Sequence, residues 1–292
     1  MESIVSGDVC FHLKTRKGDI GRYVILPGDP GRVPKIAEKL DGAKLIASNR
    51  EYTVYTGYLD GEKVSVCSTG IGGPSAAIAV EELVMCGADT FIRVGTSGGI
   101  DLKVSGGDLL IASAAIRSEG TSHEYIPDDY PAVANFDVVC ALKASADELS
   151  TDEDGNRAHV GVVHSKDNFY GEIDPRNTAV PEKLSNAWAG YLKCGCLTSE
   201  MEAAAIFTML LPMRMEERSL SYFSAIASTR AAEVSPSSAR LFRRIWFREE
   251  NAVSEAEKNA ENAIKTISAT KSVILPSSII KVDQLYFLII IC

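Results

Sequence analysis

Three glycine-rich segments that follow apolar runs are the first candidates for chemistry in this sequence. They are Gly28–Arg32 (GDPGR), Gly70–Gly73 (GIGG) and Gly95–Gly99 (GTSGG). Backbone N–H groups exposed in such turns form concave anion sites, and a nearby guanidinium adds bidentate, charge-assisted hydrogen bonds. Arg32 closes the first segment and Arg93 precedes the third. The pattern predicts an oxyanion site, with simple chain reversal as the alternative role of each glycine turn.

A pair of carboxylates stands at the start of an apolar helical segment. Glu200 and Glu202 bracket Met201 and precede three alanines. Buried carboxylates are costly unless they are hydrogen-bonded, and the hydroxyls of a ribose would satisfy one of them. Acidic residues also stabilise helix N-termini through the helix dipole, so capping is the alternative role.

A third candidate segment, Asp167–Gly171 (DNFYG), follows a predicted strand and contains two aromatic residues. Phe169 is suited to stack on a planar base, whereas the alternative role of such a loop aromatic is to cover the core. Elsewhere the sequence offers little for other chemistries. The histidines are not spaced as metal ligands, and no G-x-S-x-G nucleophile motif is present.

Apolar runs of strand length alternate with segments of helical period, a pattern typical of α/β proteins. The predicted strands are Tyr23–Leu26, Val64–Cys67, Thr90–Val94, Leu109–Ile116 and Val160–His164. The predicted helices are Ser75–Cys86, Phe136–Leu149, Pro181–Leu192 and Glu200–Leu210. Each glycine-rich segment therefore lies at the end of a predicted strand.

Composition narrows the class of protein. The chain has 292 residues and a formal net charge of −9, with 46% hydrophobic and 24% charged residues, as in ordinary globular proteins. An acidic chain is poorly suited to binding nucleic acid, and no apolar run reaches the roughly 18 residues of a membrane span. Seven scattered cysteines without a C-x-x-C pair indicate a reducing compartment. We therefore expect a cytoplasmic protein without nucleic-acid or membrane partners.

The C-terminal third differs in composition from the rest. All 23 glycines lie at or before Gly195, although α/β folds need glycine turns after their strands. We interpret residues 211–247 as divergent or as a translated frameshift. Helical periodicity returns at Glu249–Ser268, and residues 271–292 form an apolar tail without an assigned role. The predicted domain covers residues 1–270.

Taken in order, the motifs VILPGDPGR, SNREY, CSTGIGGPS, IRVGTSGGI, DNFYG and SEMEAAA resemble those of the hexameric nucleoside phosphorylases. The resemblance runs from about Asp8 to Leu210 and is greatest to the branch that acts on uridine. It implies a single-domain, three-layer α/β/α fold with a mixed central sheet. It also implies reversible phosphorolysis of a nucleoside to free base and ribose 1-phosphate, with inorganic phosphate as co-substrate and no organic cofactor.

The resemblance implies roles for individual residues. The phosphate-binding set is Gly28, Arg32, Arg50, Arg93 and Thr96. The ribose-binding set is His12, Thr96, Met201 and Glu202, and the base-binding set is Gly98, Phe169, Glu172 and Arg176. Residues matching a monovalent-cation (K⁺) site between subunits are Glu51, Ile71 and Ser75. Arg93 and Glu202 would act in catalysis. Arg50 and His12 would reach a neighbouring subunit's site in a homohexamer, a trimer of dimers.

The choice of base leaves alternatives open. The purine branch protonates its leaving base with an aspartate after the last core strand, and this chain has no Asp between Asp174 and Asp283. Uridine-specific members have a Gln and an Arg after the aromatic motif, where this chain has Glu172 and, less directly, Arg176. The sequence favours uridine over a purine or broad-specificity phosphorylase. A catalytically impaired nucleoside-binding homologue is the other alternative, because the glycine-free segment replaces part of the fold.

Overall fold

The computed structural model describes residues 9–149, 157–216 and 285–291. The strands are β1 (Tyr23–Pro27), β2 (Asp41–Asn49), β3 (Tyr52–Leu59), β4 (Glu62–Cys67), β5 (Thr90–Gly99), β6 (Leu109–Ser118), β7 (Ala132–Val133), β8 (Ala158–Lys166), β9 (Thr198–Glu200) and β10 (Leu285–Ile291). The helices are α1 (Arg32–Ala37), α2 (Gly73–Met85), α3 (Thr121–Tyr125), α4 (Phe136–Leu149), α5 (Phe169–Ile173), α6 (Pro181–Lys193) and α7 (Ala203–Glu216).

The strands form one mixed sheet. From one edge the order is β2-β3-β4-β1-β5-β9-β8-β6, and β10 pairs with both β6 and β5. The meander β2-β3-β4 is antiparallel, whereas β1 runs parallel to both β4 and β5. Through β10, the strands β5, β9, β8 and β6 close into a ring. The predicted α/β/α class with a mixed central sheet is confirmed.

The parallel strands β4, β1 and β5 position the glycine-rich segments. Val24, Ile25 and Leu26 of β1 are all buried, as expected for a parallel strand covered on both faces. Because the three strands point the same way, their carboxyl ends meet at one edge of the sheet, where α/β proteins commonly bind ligands. The predicted strands Tyr23–Leu26 and Val64–Cys67 are confirmed, with small differences at their ends.

The third glycine-rich segment is not a turn, and that prediction is wrong. Strand β5 continues to Gly99 instead of ending at Val94. Residues 92–98 pair with β10, and Gly98 and Gly99 pair with β9. Ladder hydrogen bonds to these strands outweigh the low strand propensity of glycine. The apolar tail, which had no assigned role, supplies β10.

The helices lie close to the positions that the sequence periodicity predicts. Helix α4 has the predicted bounds, and α2 begins at Gly73, after Gly72 with a φ of 90°. Helix α7 begins at Ala203 rather than Glu200, because Thr198–Glu200 pairs in the sheet as β9. None of the described helices is long and apolar enough to cross a bilayer.

Several predictions fall on residues that the structure does not describe. The predicted helix Glu249–Ser268 lies outside the described residues. In the divergent stretch 211–247, residues 211–216 continue α7 and the others lie outside the described part. The assignment of residues 1–270 to one domain stays a prediction. Six cysteines in the described residues are free thiols.

Candidate active site

The first two glycine-rich segments are joined by backbone hydrogen bonds at the sheet edge. Thr69 N donates to Pro27 O at 2.9 Å, and Gly70 N donates to Gly28 O at 3.0 Å. The Arg93 guanidinium lies directly over the first segment. A Cβ on Gly28 would lie 3.2 Å from Nη2 of Arg93 and 3.3 Å from Gly70 O. Glycine at position 28 therefore permits a close approach of backbone and guanidinium.

Arg93 and Glu202 form a buried ion pair at this place. Nη2 of Arg93 and Oε2 of Glu202 are 2.6 Å apart, and their side chains are only 7% and 6% exposed. The other oxygen, Oε1, accepts from Gly72 N at 2.6 Å, and Nη1 of Arg93 donates to Leu26 O at 3.1 Å. The Glu202 carboxylate thus joins strand β5, the second glycine-rich segment and the start of α7.

The ion pair retains capacity to bind a ligand. Nε of Arg93 is buried and has no hydrogen-bond partner among the described residues. Buried donors without partners are rare in folded proteins, and each one marks a place where a polar ligand or water can supply a bond. A guanidinium with a spare donor beside glycine backbone is suited to hold an oxyanion.

The two carboxylates of the SEMEAAA motif have separate roles. Oε2 of Glu200 accepts from Glu202 N at 2.7 Å and from Ala203 N at 2.9 Å, which satisfies the first N–H groups of α7. Burial, and then the charge of Glu202, raise the pKa of Glu200 to about 7. Capping thus belongs to Glu200, whereas Glu202 faces Arg93. Met201, between them, is partly buried.

The other residues predicted to bind phosphate make no side-chain hydrogen bond to this ion pair in the described part of the chain. Arg32 opens α1 and is partly buried, Arg50 is exposed at the β2–β3 turn with a φ of 55°, and Thr96 is exposed on β5. In the described part of the chain, no side-chain hydrogen bond or ion pair joins these three residues to Arg93 or Glu202. Their roles stay predictions.

His12 is held in place by α2. Its Nδ1 lies 2.8 Å from Oε1 of Glu82, and its backbone N–H donates to the same carboxylate at 2.9 Å. The backbone N–H of Leu13 also donates to Glu82, at 2.7 Å. The His12 side chain remains 24% exposed. This anchoring suits a group that is presented at the surface of the subunit, and its ribose role stays a prediction.

Three of the four residues predicted to bind the base are exposed, namely Gly98, Phe169 and Arg176. Phe169 is 51% exposed at the start of the short helix α5, which Asn168 caps by accepting from Gly171 N at 2.8 Å. Nothing lies within 4 Å of the place where a Cβ on Gly98 would be. Arg176 is bonded through Nε to Asp174 at 3.0 Å and is largely exposed. Phe169 and the Gly98 position are therefore both unobstructed, as groups that flank a flat ring must be.

Glu172 belongs to a buried polar cluster, which we call the Lys166 cluster. Its members are His164, Lys166, Glu172 and Ser199. Nδ1 of His164 lies 3.1 Å from Oε2 of Glu172, and Nζ of Lys166 lies 3.0 Å from Oε1. Burial alone would raise the pKa of Glu172, but the hydrogen bond from His164 and the charge of Lys166 outweigh it, so the pKa lies below its ordinary value.

Sequence reasoning missed Lys166 and Ser199, and it gave Gly72 a different partner from the one in the structure. The available signal for Lys166 was a lysine placed directly after an apolar strand and before the aromatic motif. Gly72 was part of a predicted anion turn, yet its N–H donates to Glu202 instead. Ser199 gave no signal, because its role depends on partners from other elements.

The residues of the predicted cation site lie together. A Cβ on Gly70 would be 3.0 Å from Cγ of Glu51 and 3.1 Å from Oγ of Ser75, so both side chains flank that glycine. Oγ of Ser75 donates to Ile71 O at 3.1 Å. Carboxylate, hydroxyl and carbonyl oxygens suit a hard cation. Among the described residues, no cluster of three or more His, Cys, Asp or Glu side chains could hold a metal ion.

Comparison with known proteins identifies the family to which this chain belongs. A family model described as the phosphorylase superfamily matches residues 22–268. The chain belongs to this family, and the resemblance seen in the motifs is confirmed.

Particular relatives can also be named. The chain is 48% identical over 209 residues to uridine phosphorylase of Treponema pallidum (strain Nichols), covering 72% of this chain and 79% of the relative. It is 47% identical over 201 residues to uridine phosphorylase of Thermococcus kodakarensis, covering 68% and 71%. A crystal structure of uridine phosphorylase from Vibrio fischeri ES114 matches with a TM-score of 0.62 and 37% identity, covering 72% and 81%.

Proposed function

We propose that this protein is a uridine phosphorylase, a pentosyltransferase that converts uridine and phosphate reversibly to uracil and ribose 1-phosphate. The observation that carries the proposal is the buried pair of Arg93 and Glu202, 2.6 Å apart, where the first two glycine-rich segments meet. Its support from comparison is the identity of 48% to a curated uridine phosphorylase.

The geometry suggests how the reaction proceeds. Arg93 and the backbone near Gly28 would hold phosphate, and Glu202 would hold ribose hydroxyls. The bond from C1′ to N1 of the base breaks with its electron pair going to the base, and a phosphate oxygen bonds to C1′. The proton of the phosphate dianion passes through solvent to N1, so that neutral uracil leaves. The transition state is oxocarbenium-like, so the phosphate dianion and Glu202 stabilise its positive charge. No covalent enzyme intermediate is needed, because positioning and electrostatics supply the rate.

The finer expectations belong to the same proposal. Exposed Arg50 and anchored His12 support sites shared between subunits of a homohexamer, a trimer of dimers. Oxygens of Glu51, Ile71 and Ser75 would hold K⁺ between subunits. The free thiols of the described residues support a cytoplasmic location.

The test is phosphate-dependent release of uracil from uridine, with inosine and guanosine as competing substrates. Arg93→Ala should lower kcat/KM by about 100-fold or more, because it removes a preorganised charge that the transition state needs. It should also raise the KM for phosphate. Arg22→Ala is the matched control, since Arg22 pairs with Asp89 at the surface. An unchanged phosphate dependence of Arg93→Ala would contradict the assignment of the phosphate site.

A second candidate function is phosphorolysis of a purine nucleoside. It is favoured by one relative, guanosine phosphorylase of Halorubrum lacusprofundi, which is 41% identical over 198 residues and matches 68% of this chain and 76% of its own length. Release of guanine or hypoxanthine without uracil would establish this function instead. Calorimetric binding of uridine without turnover would identify a catalytically impaired homologue.

A further inference from the structure

Lys166 is a buried cation whose role neither the motifs nor the comparisons assign. It is the last residue of β8 and only 8% exposed. Burying an ammonium group is costly unless it is paired and hydrogen-bonded. A lysine in this place therefore needs partners within the fold.

The partners come from two other elements. Nζ of Lys166 donates to Oε1 of Glu172 on α5 at 3.0 Å and to Oγ of Ser199 on β9. The Ser199 hydroxyl donates to Oε2 of Glu172 at 2.7 Å, and His164 Nδ1 lies 3.1 Å from the same oxygen. The Lys166 cluster is thus a hydrogen-bonded network around one carboxylate.

Counting donors and acceptors shows what this network leaves over. An ammonium carries three N–H donors, and an ionised carboxylate offers about four acceptor positions. Within the described residues, Lys166 uses two donors, and Glu172 accepts three bonds, of which only one reaches Oε1. One donor on Lys166 and one acceptor position on Oε1 remain, side by side.

The unused donor of Lys166 and the unused acceptor position of Glu172 lie near the residues predicted to bind the nucleobase. Nζ of Lys166 is 5.7 Å from the centre of the Phe169 ring. Ser199 pairs in the ladder with Gly98, beside which a side chain would meet nothing within 4 Å. The network therefore lies next to both Phe169 and Gly98, the groups predicted to flank the base.

We propose that Lys166 is a specificity-determining residue, which donates to a base carbonyl while Glu172 accepts the neighbouring ring N–H. An adjacent C=O and N–H form the edge of uracil and of other lactam or imide bases. Cytosine presents an unprotonated ring nitrogen beside an amino group, so it does not complement this pair. This inference rests on the proposed function and names how its base is recognised.

The same ammonium assists bond cleavage. When the bond between C1′ and N1 breaks, the electron pair stays on the base and charge develops on its carbonyl oxygens. A cation placed beside such an oxygen stabilises the leaving base in the transition state more than in the bound nucleoside. Removing Lys166 should therefore affect kcat as well as KM.

The test compares Lys166→Met with Lys166→Arg, using Lys183→Met on the exposed face of α6 as the matched control. Lys166→Met should lower kcat/KM for uridine by about 100-fold, the loss expected for a buried charged hydrogen bond. It should leave the KM for phosphate within about twofold. Lys166→Arg, which keeps the charge but places its donors on a larger planar group, should recover only part of the activity. Wild-type enzyme should also discriminate strongly against cytidine and 3-methyluridine.

A binding measurement separates this inference from the proposed function. Calorimetric titration with uracil in the presence of phosphate should give binding to the wild-type protein and to Lys183→Met, with at least tenfold weaker binding to Lys166→Met. If uridine is not cleaved but uracil binds in this Lys166-dependent way, only the proposed function fails. If uridine is cleaved and Lys166→Met keeps uridine kcat/KM and uracil affinity within about threefold, the inference is overturned. If uridine is not cleaved and uracil does not bind to the wild-type protein, both the proposed function and this inference fail.

Discussion

Substituting Glu202→Leu should expose the energetic cost of the buried guanidinium of Arg93. The substitution removes the carboxylate that lies 2.6 Å from Arg93 and keeps a side chain of similar size. Breaking a buried ion pair by removing one partner costs about 3–5 kcal/mol, because the remaining charge is left uncompensated. For a domain of this size each kcal/mol lowers Tm by about 2–4 °C, so the expected fall is about 6–20 °C.

Phosphate should reverse much of this loss. A dianion bound at Arg93 supplies the missing counter-charge, and a ligand that binds only the folded state stabilises it in proportion to the logarithm of its concentration. The assay is thermal denaturation of wild type, Glu202→Leu and the surface control Glu38→Leu, in phosphate and in chloride of equal ionic strength. The phosphate-induced rise in Tm should be larger for Glu202→Leu than for wild type. A Tm of Glu202→Leu within about 2 °C of wild type, or equal shifts in phosphate and chloride, would refute the reasoning.

Three further results are expected. The pKa of Glu200 is raised from its ordinary value of 4.5 to about 7. The stability that Glu200 contributes is therefore present below pH 4.5 and is lost as the pH rises to about 7. Glu200→Gln should flatten the fall in Tm over this interval. Gly21→Ala should destabilise by about 3 kcal/mol in urea denaturation, since its Cβ would lie 2.1 Å from Lys63 O. Among the described cysteines, only exposed Cys140 and Cys194 should react rapidly with a thiol reagent in the native protein.

Much of the candidate site could be predicted because its parts are local in sequence. Glycines after apolar runs indicated the sheet edge, and Gly28 and Arg93 do meet there. The contact between Arg93 and Glu202 spans 109 positions, however, and no local periodicity carries such information. Only the motifs taken together placed both residues in one site.

The missed elements depended on partners that lie far along the chain. Strand β5 passes through Gly95–Gly99 because β9 and β10 pair with it, which overrides the turn preference of the glycines. Strand β2 is mostly exposed and carries register shifts against β3, so it lacks the regular alternation that identifies a half-buried strand. Lys166 was missed for a similar reason, since Glu172 and Ser199 reach it from α5 and β9.

The pairing of β10 with β5 has a consequence for the kinetics of folding. Leu285 lies opposite Gly98, so the ladder that holds the Arg93 strand joins segments separated by most of the chain. Such distant pairings form slowly, because the entropy of closing a long loop is lost before the contacts reward it. Until then β5 and β6 present unpaired backbone groups that other chains can capture. We therefore expect the yield of native protein on refolding to depend on the rate at which β10 pairs with β5 relative to the rate of aggregation. Dilution and low temperature slow aggregation and should raise this yield.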